Sequence, residues 1–236
     1  MLPIEKRPIK YNYSKRNGNK IEYLVIHDTG NTNAGADAKA HYNYFNGANR
    51  QASAHYFVDD SQILQLVADE HASWHCGDGR GKCGITNSNS IGIEICINSD
   101  GADAKAVTNT TKLTAYLADK YSIPQENVVR HYDASRKICP RTMSHNNWAK
   151  WHEFKKAVQE LREQNSHNED EPGKQNSQSE VEPETNNLKR STEILTEAGI
   201  ITSPDYWEQH ARKGETIKGE YAGMLIERMA QKLTTE

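Results

Sequence analysis

Two histidines and one cysteine in this chain could together hold a divalent metal: His27, His131 and Cys139. His27 closes the dense apolar run Ile21 to His27, and a side chain at the end of a buried strand can project from the sheet edge into a cleft. His131 follows the apolar pair Val128-Val129, and Cys139 lies further on, directly before Pro140. Two imidazoles and a thiolate, with a fourth position left for water, make a sound donor set for a catalytic zinc site. Spacing alone does not decide the matter, because a single histidine after a strand is more commonly structural or exposed.

Other residues have both a chemical and a plain reading. Ile91, Ile93, Ile95 and Ile97 alternate with Gly92, Glu94 and Cys96, so Glu94 points away from the isoleucine face. The plain reading of Glu94 is a carboxylate on a solvated strand face, and that of Lys137 is a surface lysine. Trp74 and His75 fall in the Gly-, Asn- and Ser-rich stretch from His71 to Ser90, a long loop of the kind that often carries function. Alternatively, Trp74 caps the core and His75 is exposed. His55 reads as structural, supporting a site from behind. The other cysteines, Cys76, Cys83 and Cys96, form no CxxC pair, so a four-cysteine zinc module is not expected. They read as packing or exposed thiols, with a Cys76–Cys83 disulfide open only outside a reducing compartment.

The elements that must position these residues follow from periodicity. Ile21 to His27 reads as a buried strand ended by Asp28-Thr29-Gly30-Asn31. Ala36 to Phe45 reads as a helix with Ala38, Tyr42 and Phe45 on one face. Ala54 to Val58 and Ile63 to Val67 read as a hairpin, and Ile91 to Ile97 as a strand. Lys105 to Tyr121 reads as a helix stopped before Pro124. Val128 to Asp133 reads as a short strand end and loop, and Asn147 to Leu161 as an amphipathic helix. Strands alternating with helices predict an α/β fold, a central mixed sheet flanked by helices.

Residues 163–190 differ in kind. Across Glu163 to Asn187 there are seven acids against one base, Lys174, and one large aliphatic residue, Val181. Such a stretch buries too little apolar area to offset chain entropy and is expected to be a disordered acidic linker. It divides a catalytic domain at 1–162 from a small helical module at 191–236. There Tyr221, Leu225, Met229 and Leu233 recur at helical spacing, a stripe suited to plain core, to homodimerisation or to holding a surface. The net charge of −3 gives no sign of a nucleic-acid partner. No run is apolar enough for membrane insertion. The N-terminal MLPIEKRPIK lacks the apolar core of a secretory signal, so synthesis in the cytoplasm is expected.

Six blocks taken together carry a resemblance. They are Val25-Ile26-His27-Asp28-Thr29, Ser53-Ala54-His55-Tyr56-Phe57-Val58, Trp74-His75, Asn89-Ser90-Ile91-Gly92-Ile93-Glu94, Val128-Val129-Arg130-His131 and Lys137-Ile138-Cys139-Pro140. Their order and spacing resemble the type 2 N-acetylmuramoyl-L-alanine amidases, a family that includes phage lysins and is similar to the peptidoglycan recognition proteins. The resemblance spans roughly Ile21 to Leu161. It implies one zinc ion on His27, His131 and Cys139, with Cys139 where many members carry Asp. It also implies Glu94 as the acid–base carboxylate and Lys137 facing the reacting carbonyl. His75 helps bind substrate, and Trp74 shapes the groove. Ala54 stands where some relatives have Tyr, so Glu94 acts alone, and the Gly that often follows the loop proline is replaced by Arg141. The implied partner is bacterial peptidoglycan, cut between muramic acid and L-alanine after the enzyme leaves its host cytoplasm. A bacterial autolysin and a non-catalytic recognition module are the alternatives.

Overall fold

Alternating apolar residues can bury one face of a strand while the backbone pairs sideways, and the isoleucine- and valine-rich runs of this chain do so. In the computed structural model the strands are β1 (Ile4–Lys6), β2 (Tyr13–Lys15), β3 (Tyr23–Asp28), β4 (Tyr56–Val58), β5 (Ile63–Gln65), β6 (His71–Ser73), β7 (Ser90–Ile95) and β8 (Val128–Arg130). The helices are α1 (Ala38–Gly47), α2 (Asp103–Lys120), α3 (His131–Ser135), α4 (His145–His167), α5 (Pro204–His210) and α6 (Gly219–Leu233). The structure describes residues 1–167, 191–192, 195–196, 198–211 and 219–233. Six strands form a mixed sheet in the order β1-β5-β4-β7-β3-β8, parallel at every pairing except the β4–β5 hairpin. β2 and β6 form a separate antiparallel ribbon.

The sheet is covered on both faces. Leu24, Ile26, Ile91, Ile93 and Ile95 pack with Leu113 and Leu117 of α2 and with Trp151, Phe154 and Val158 of α4. On the other face Phe57, Leu64 and Cys96 meet Ala38 of α1, with Tyr42 and Phe45 beside them. Asp37 caps α1 by accepting from the Ala40 N–H. A smaller cluster joins Val25, Cys76, Ile85 and Ala134 beneath the chain that follows β6.

Three features depart from the periodicity reading. β1, β2 and β6 are three-residue strands whose sequences (IEK, YSK, HAS) carry no apolar alternation, so only their pairing partners define them. The stretch expected as one long loop from His71 begins as β6. His131 opens a short helix and does not lie in a loop, because Asp133 accepts from the Arg130 backbone N–H and closes the first turn. Periodicity makes no prediction for Arg16. It is buried and donates to the carbonyls of Asp69, Ser88 and Ser90, tying the end of β2 to the start of β7.

The chain divides into two units, Met1–Pro172 and Gly173–Glu236. In the first, α4 continues past residue 162 to His167. Residues 168–190 of the expected linker lie outside the described residues. In the second, Leu225 and Met224 line a small cavity with Ile201 and Trp207, while Ile226 and Met229 are exposed. The expected stripe is therefore split between an inward and an outward face, and the side chains of Tyr221 and Leu233 lie outside the described residues. No helix among the described residues is long and apolar enough to cross a membrane.

Candidate metal centre

Strand register brings the first two functional side chains together. β3 and β7 run parallel with His27 opposite Glu94. Leu24 and Ile26 face the α2–α4 core, as do Ile91, Ile93 and Ile95, so His27 and Glu94 share the opposite face at the carboxyl ends of their strands. His27 Nδ1 stands 4.0 Å from Glu94 Oε1, with His27 2% and Glu94 20% exposed.

The other two candidates lie on irregular backbone. β8 pairs with β3 through Arg130 and Ile26, and His131 is the next residue, the first of α3. Arg136 ends that helix in the left-handed region at φ 68°, turning the chain back toward the sheet. Tyr132 N–H donates to the Cys139 carbonyl at 3.1 Å. Beyond the cis Cys139–Pro140 peptide, the N–H and hydroxyl of Thr142 both donate to Asp28 Oδ2, at 2.7 and 2.9 Å. The loop is thereby latched to the strand that carries His27.

Donor atoms of His27, His131 and Cys139 lie within 4.8 Å of one another, and all three residues are buried. Cys139 Sγ is 3.8 Å from His27 Nδ1. Zinc–sulfur and zinc–nitrogen bonds of about 2.3 and 2.0 Å would put such a pair about 3.5 Å apart on a tetrahedral ion. His131 Nδ1 and Glu94 Oε2 are buried with no hydrogen-bond partner among the described residues. An orphaned buried nitrogen is costly unless something accepts its lone pair. The opposite ring nitrogens are both held: His131 Nε2 by Asp78 Oδ1 at 2.8 Å, and His27 Nε2 by His75 Nδ1 at 3.0 Å. Ligating histidines are characteristically gripped in this way from behind. The residues present fit a zinc ion.

The electrostatics agree. Burial holds the His27 imidazole well below its ordinary value, with His75, His131 and Lys137 adding to the effect. Burial pushes the Cys139 thiol up to about 12, with Glu94 adding, and the Glu94 carboxyl up to about 8, with Asp28 adding and Lys137 opposing. Although burial raises Asp78, hydrogen bonds from His131 and Ser135 hold it below the usual carboxylate range. Burial thus disfavours charge on His27, Cys139 and Glu94, while Asp78 at the rim keeps its negative charge, which suits a site that receives a cation and then ionises its thiol.

A groove of about 440 Å³ opens over the centre, lined by Gln51, Ala52, Trp74, His75, Gly77, Asp78, Asn87, His131 and Lys137. Trp74 is 36% exposed, and Lys137 is exposed on the loop that leads to Cys139. His75 lines the groove, but both its ring nitrogens are engaged, Nδ1 by His27 and Nε2 by Ser90 Oγ at 3.0 Å. His55 is fully buried behind it, within 3.0 Å of the Gly92 N–H and 2.7 Å of Ser73 Oγ.

Periodicity did not single out Asp78, Ser90, Gly79 or Gly92. Asp78 lies far from His131 in sequence, so no spacing links them. Gly92 did leave a signal, since a glycine inside a strand often marks a close approach. A Cβ on Gly92 would lie 2.5 Å from His75 Cγ. A Cβ on Gly79 would overlap the Ala134 carbonyl of α3, so only glycine lets the Asp78 turn sit against the helix that carries His131.

A family model described as N-acetylmuramoyl-L-alanine amidase matches residues 17–142. The chain is 40% identical over 145 residues to the N-acetylmuramoyl-L-alanine amidase CwlH of Bacillus subtilis (strain 168), covering 61% of this chain and 57% of that one. It is 40% identical over 136 residues to XlyA of the same organism, covering 58% and 43%. The chain thus spans about half the length of the curated relatives it matches. The solved catalytic domain of XlyA superposes with a TM-score of 0.60 at 36% identity, covering 66% of this chain and 99% of that one. A solved mutant endolysin from Bacillus subtilis gives a TM-score of 0.59 at 39% identity, covering 67% and 99%.

Proposed function

Since this chain belongs to the N-acetylmuramoyl-L-alanine amidase family, we propose that its first unit hydrolyses the amide between the muramic acid lactyl group and the first L-alanine of the peptidoglycan stem. His27, His131 and Cys139 hold a zinc ion for this purpose. The observation that carries the reading is the buried, unpartnered Nδ1 of His131, which lies in the same cluster as Cys139 Sγ and His27 Nδ1.

Zinc in that cradle supplies Lewis acidity, acidifying water and polarising an amide carbonyl. Glu94 accepts a proton from the attacking water and returns it to the departing alanine nitrogen. The new carbon–oxygen bond leaves the lactyl group as a carboxylate, and the broken carbon–nitrogen bond frees an amine. Lys137 opposes the rise in the Glu94 pKa, which favours the ionised form that a base needs. From the groove wall it also offers positive charge to the amide oxygen as that atom becomes anionic. Trp74 and His75 line the groove in which the substrate lies.

We assign the chain to a phage lysin that reaches the wall after release from the host cytoplasm, a setting supported by its likeness to the Bacillus subtilis endolysin. The second unit serves to hold the wall or to pair two chains, with Ile226 and Met229 exposed on α6 for that contact.

Purified chain is incubated with bacterial cell walls, and new N-terminal alanine is measured. Release of alanine amine is expected, with loss on chelation and recovery on adding zinc. Glu94→Gln should lower the rate by about 10²- to 10⁴-fold while zinc content stays at one per chain. Wall binding without any new amine would mark a recognition module and end the hydrolase reading.

A further inference from the structure

We propose that Ser90 and His75 are positioning residues, a neutral relay that fixes His27 as the tautomer presenting Nδ1 to the metal. The inference rests on the metal-centre reading above, and it concerns how the ligand is prepared.

The direction of each hydrogen bond follows from what each group can do. The Ser90 hydroxyl is fully buried at the start of β7 and donates its single proton to the Thr86 carbonyl, which can only accept. Ser90 Oγ therefore receives a proton from its other neighbour, His75 Nε2, at 3.0 Å. A neutral imidazole has one N–H, so His75 Nδ1 is left as an acceptor. It faces His27 Nε2 at 3.0 Å, and that nitrogen must donate. The remaining lone pair of His27 lies on Nδ1, the atom beside Cys139 Sγ and Glu94 Oε1. The sequence of donors ends at a backbone carbonyl, which only accepts, and cannot reverse without breaking a bond. The Cys76 thiol, 3.9 Å from both Ser90 Oγ and His75 Nε2, is too distant and too weak to substitute. Gly92 clears the space, since a Cβ there would also lie 2.7 Å from His75 Nδ1.

The two ligating histidines are thus oriented by different devices. His131 uses a carboxylate, Asp78, which is 47% exposed and keeps its charge in contact with water. His27 is nearly buried, where a second carboxylate would carry its charge into the protein interior. Serine and histidine do the same orienting work without adding a charge.

The test uses the full chain, with zinc affinity read by competition against a chromophoric chelator and ring tautomers read from long-range 15N–1H spectra. The wild-type zinc form should show His27 and His75 both protonated at Nε2. Ser90→Ala should weaken zinc binding by about 10- to 100-fold and let the His27 proton redistribute. Ser90→Thr keeps the hydroxyl and should restore affinity. Ser88→Ala removes a neighbouring hydroxyl outside the relay and should bind zinc as wild type does. Wild-type spectra with His75 protonated at Nδ1 would overturn the relay, and they decide even if Ser90→Ala fails to fold. Unchanged affinity and tautomers in a folded Ser90→Ala chain would overturn it too, leaving the metal centre standing. A wild-type chain that binds no zinc would overturn both together.

Discussion

The two halves of the cradle are built differently. His27 and Glu94 sit on adjacent parallel strands at matched register, so ladder hydrogen bonds and an isoleucine core set their separation. His131 and Cys139 sit past the end of β8, on a five-residue helix and a loop. Their placement depends on single contacts: the Asp133 cap, left-handed Arg136, the Thr142–Asp28 latch and the Asp78 grip. A sheet holds a side chain through many weak bonds that fail together, whereas a loop holds it through a few that can be removed singly. The sheet half should therefore respond to whatever unfolds the domain, and the loop half to point substitutions that leave the domain folded.

Acid should have the largest effect, acting chiefly on His27 and the two histidines packed behind it, His75 and His55; burial lowers His131 of the loop half as well, but there Asp78 opposes it. Burial holds His27 and His75 well below their ordinary value of 6.5, and burial together with Arg16 pushes His55 down to about 3. The unfolded chain binds protons at these positions below pH 6.5 while the folded, metal-free chain does not. Stability therefore falls as pH drops from 6.5, and for His55 it goes on falling to about 3. Each histidine contributes a slope approaching about 1.4 kcal/mol per pH unit; Glu94, raised to about 8, contributes one slope of the opposite sign down to its ordinary value of 4.5, and the three histidines outweigh it. Chemical denaturation of the metal-free chain between about pH 7.5 and about pH 4.5 should show this loss. A flat profile would mean that the sheet half tolerates charged imidazoles, and the contrast would be broken.

Gly79→Ala should act on the loop half alone. The added methyl group overlaps the Ala134 carbonyl, so the turn that carries Asp78 must move away from α3. His131 loses its orienting partner while β3 and β7 keep their pairing. Zinc affinity should fall by about tenfold or more, and the pH dependence of stability of the metal-free chain should match wild type. An equal loss of affinity and of metal-free stability would show that the two halves are not separable.

The same contrast governs what could be read from sequence. Glu94 was placed by alternation with Ile91, Ile93 and Ile95, and His27 by its position at the end of an apolar run, since sheet geometry is periodic and periodicity is visible in residue order. His131 and Cys139 are candidate donors by residue type, but only the resemblance to a known family favours their sharing one ion, because no repeat connects a helix start with a loop thiol. Asp78 and Ser90 receive no role from the sequence for a related reason: each meets its histidine through chain folding, across 53 and 15 residues respectively. Arg16 left no signal either, because its guanidinium is satisfied by backbone carbonyls supplied by chain far away in sequence. β1, β2 and β6 are too short for any alternation to register.

The smallest effect tests how far the support of the loop half extends. Asn146, Asn147 and Trp148 are all left-handed, with φ of 50°, 53° and 66°, an unusual conformation for a tryptophan. The bend sets Trp148 against Arg130, whose Cζ lies 4.2 Å from the ring centroid, and Arg130 is the residue before His131. The stack contributes about 0.5–1 kcal/mol where partly exposed. Arg130 is also held by both oxygens of Asp133, at 2.9 and 2.7 Å, and that pairing does not need the indole. Trp148→Leu should therefore lower the melting temperature by about 2–4 °C and leave zinc affinity within about twofold of wild type. If affinity falls with stability, the indole is part of the cradle, and the loop half reaches through Arg130 into α4. If only stability falls, that half ends at Asp133 and Asp78, and a single helical turn and a carboxylate are enough to hold His131 in place.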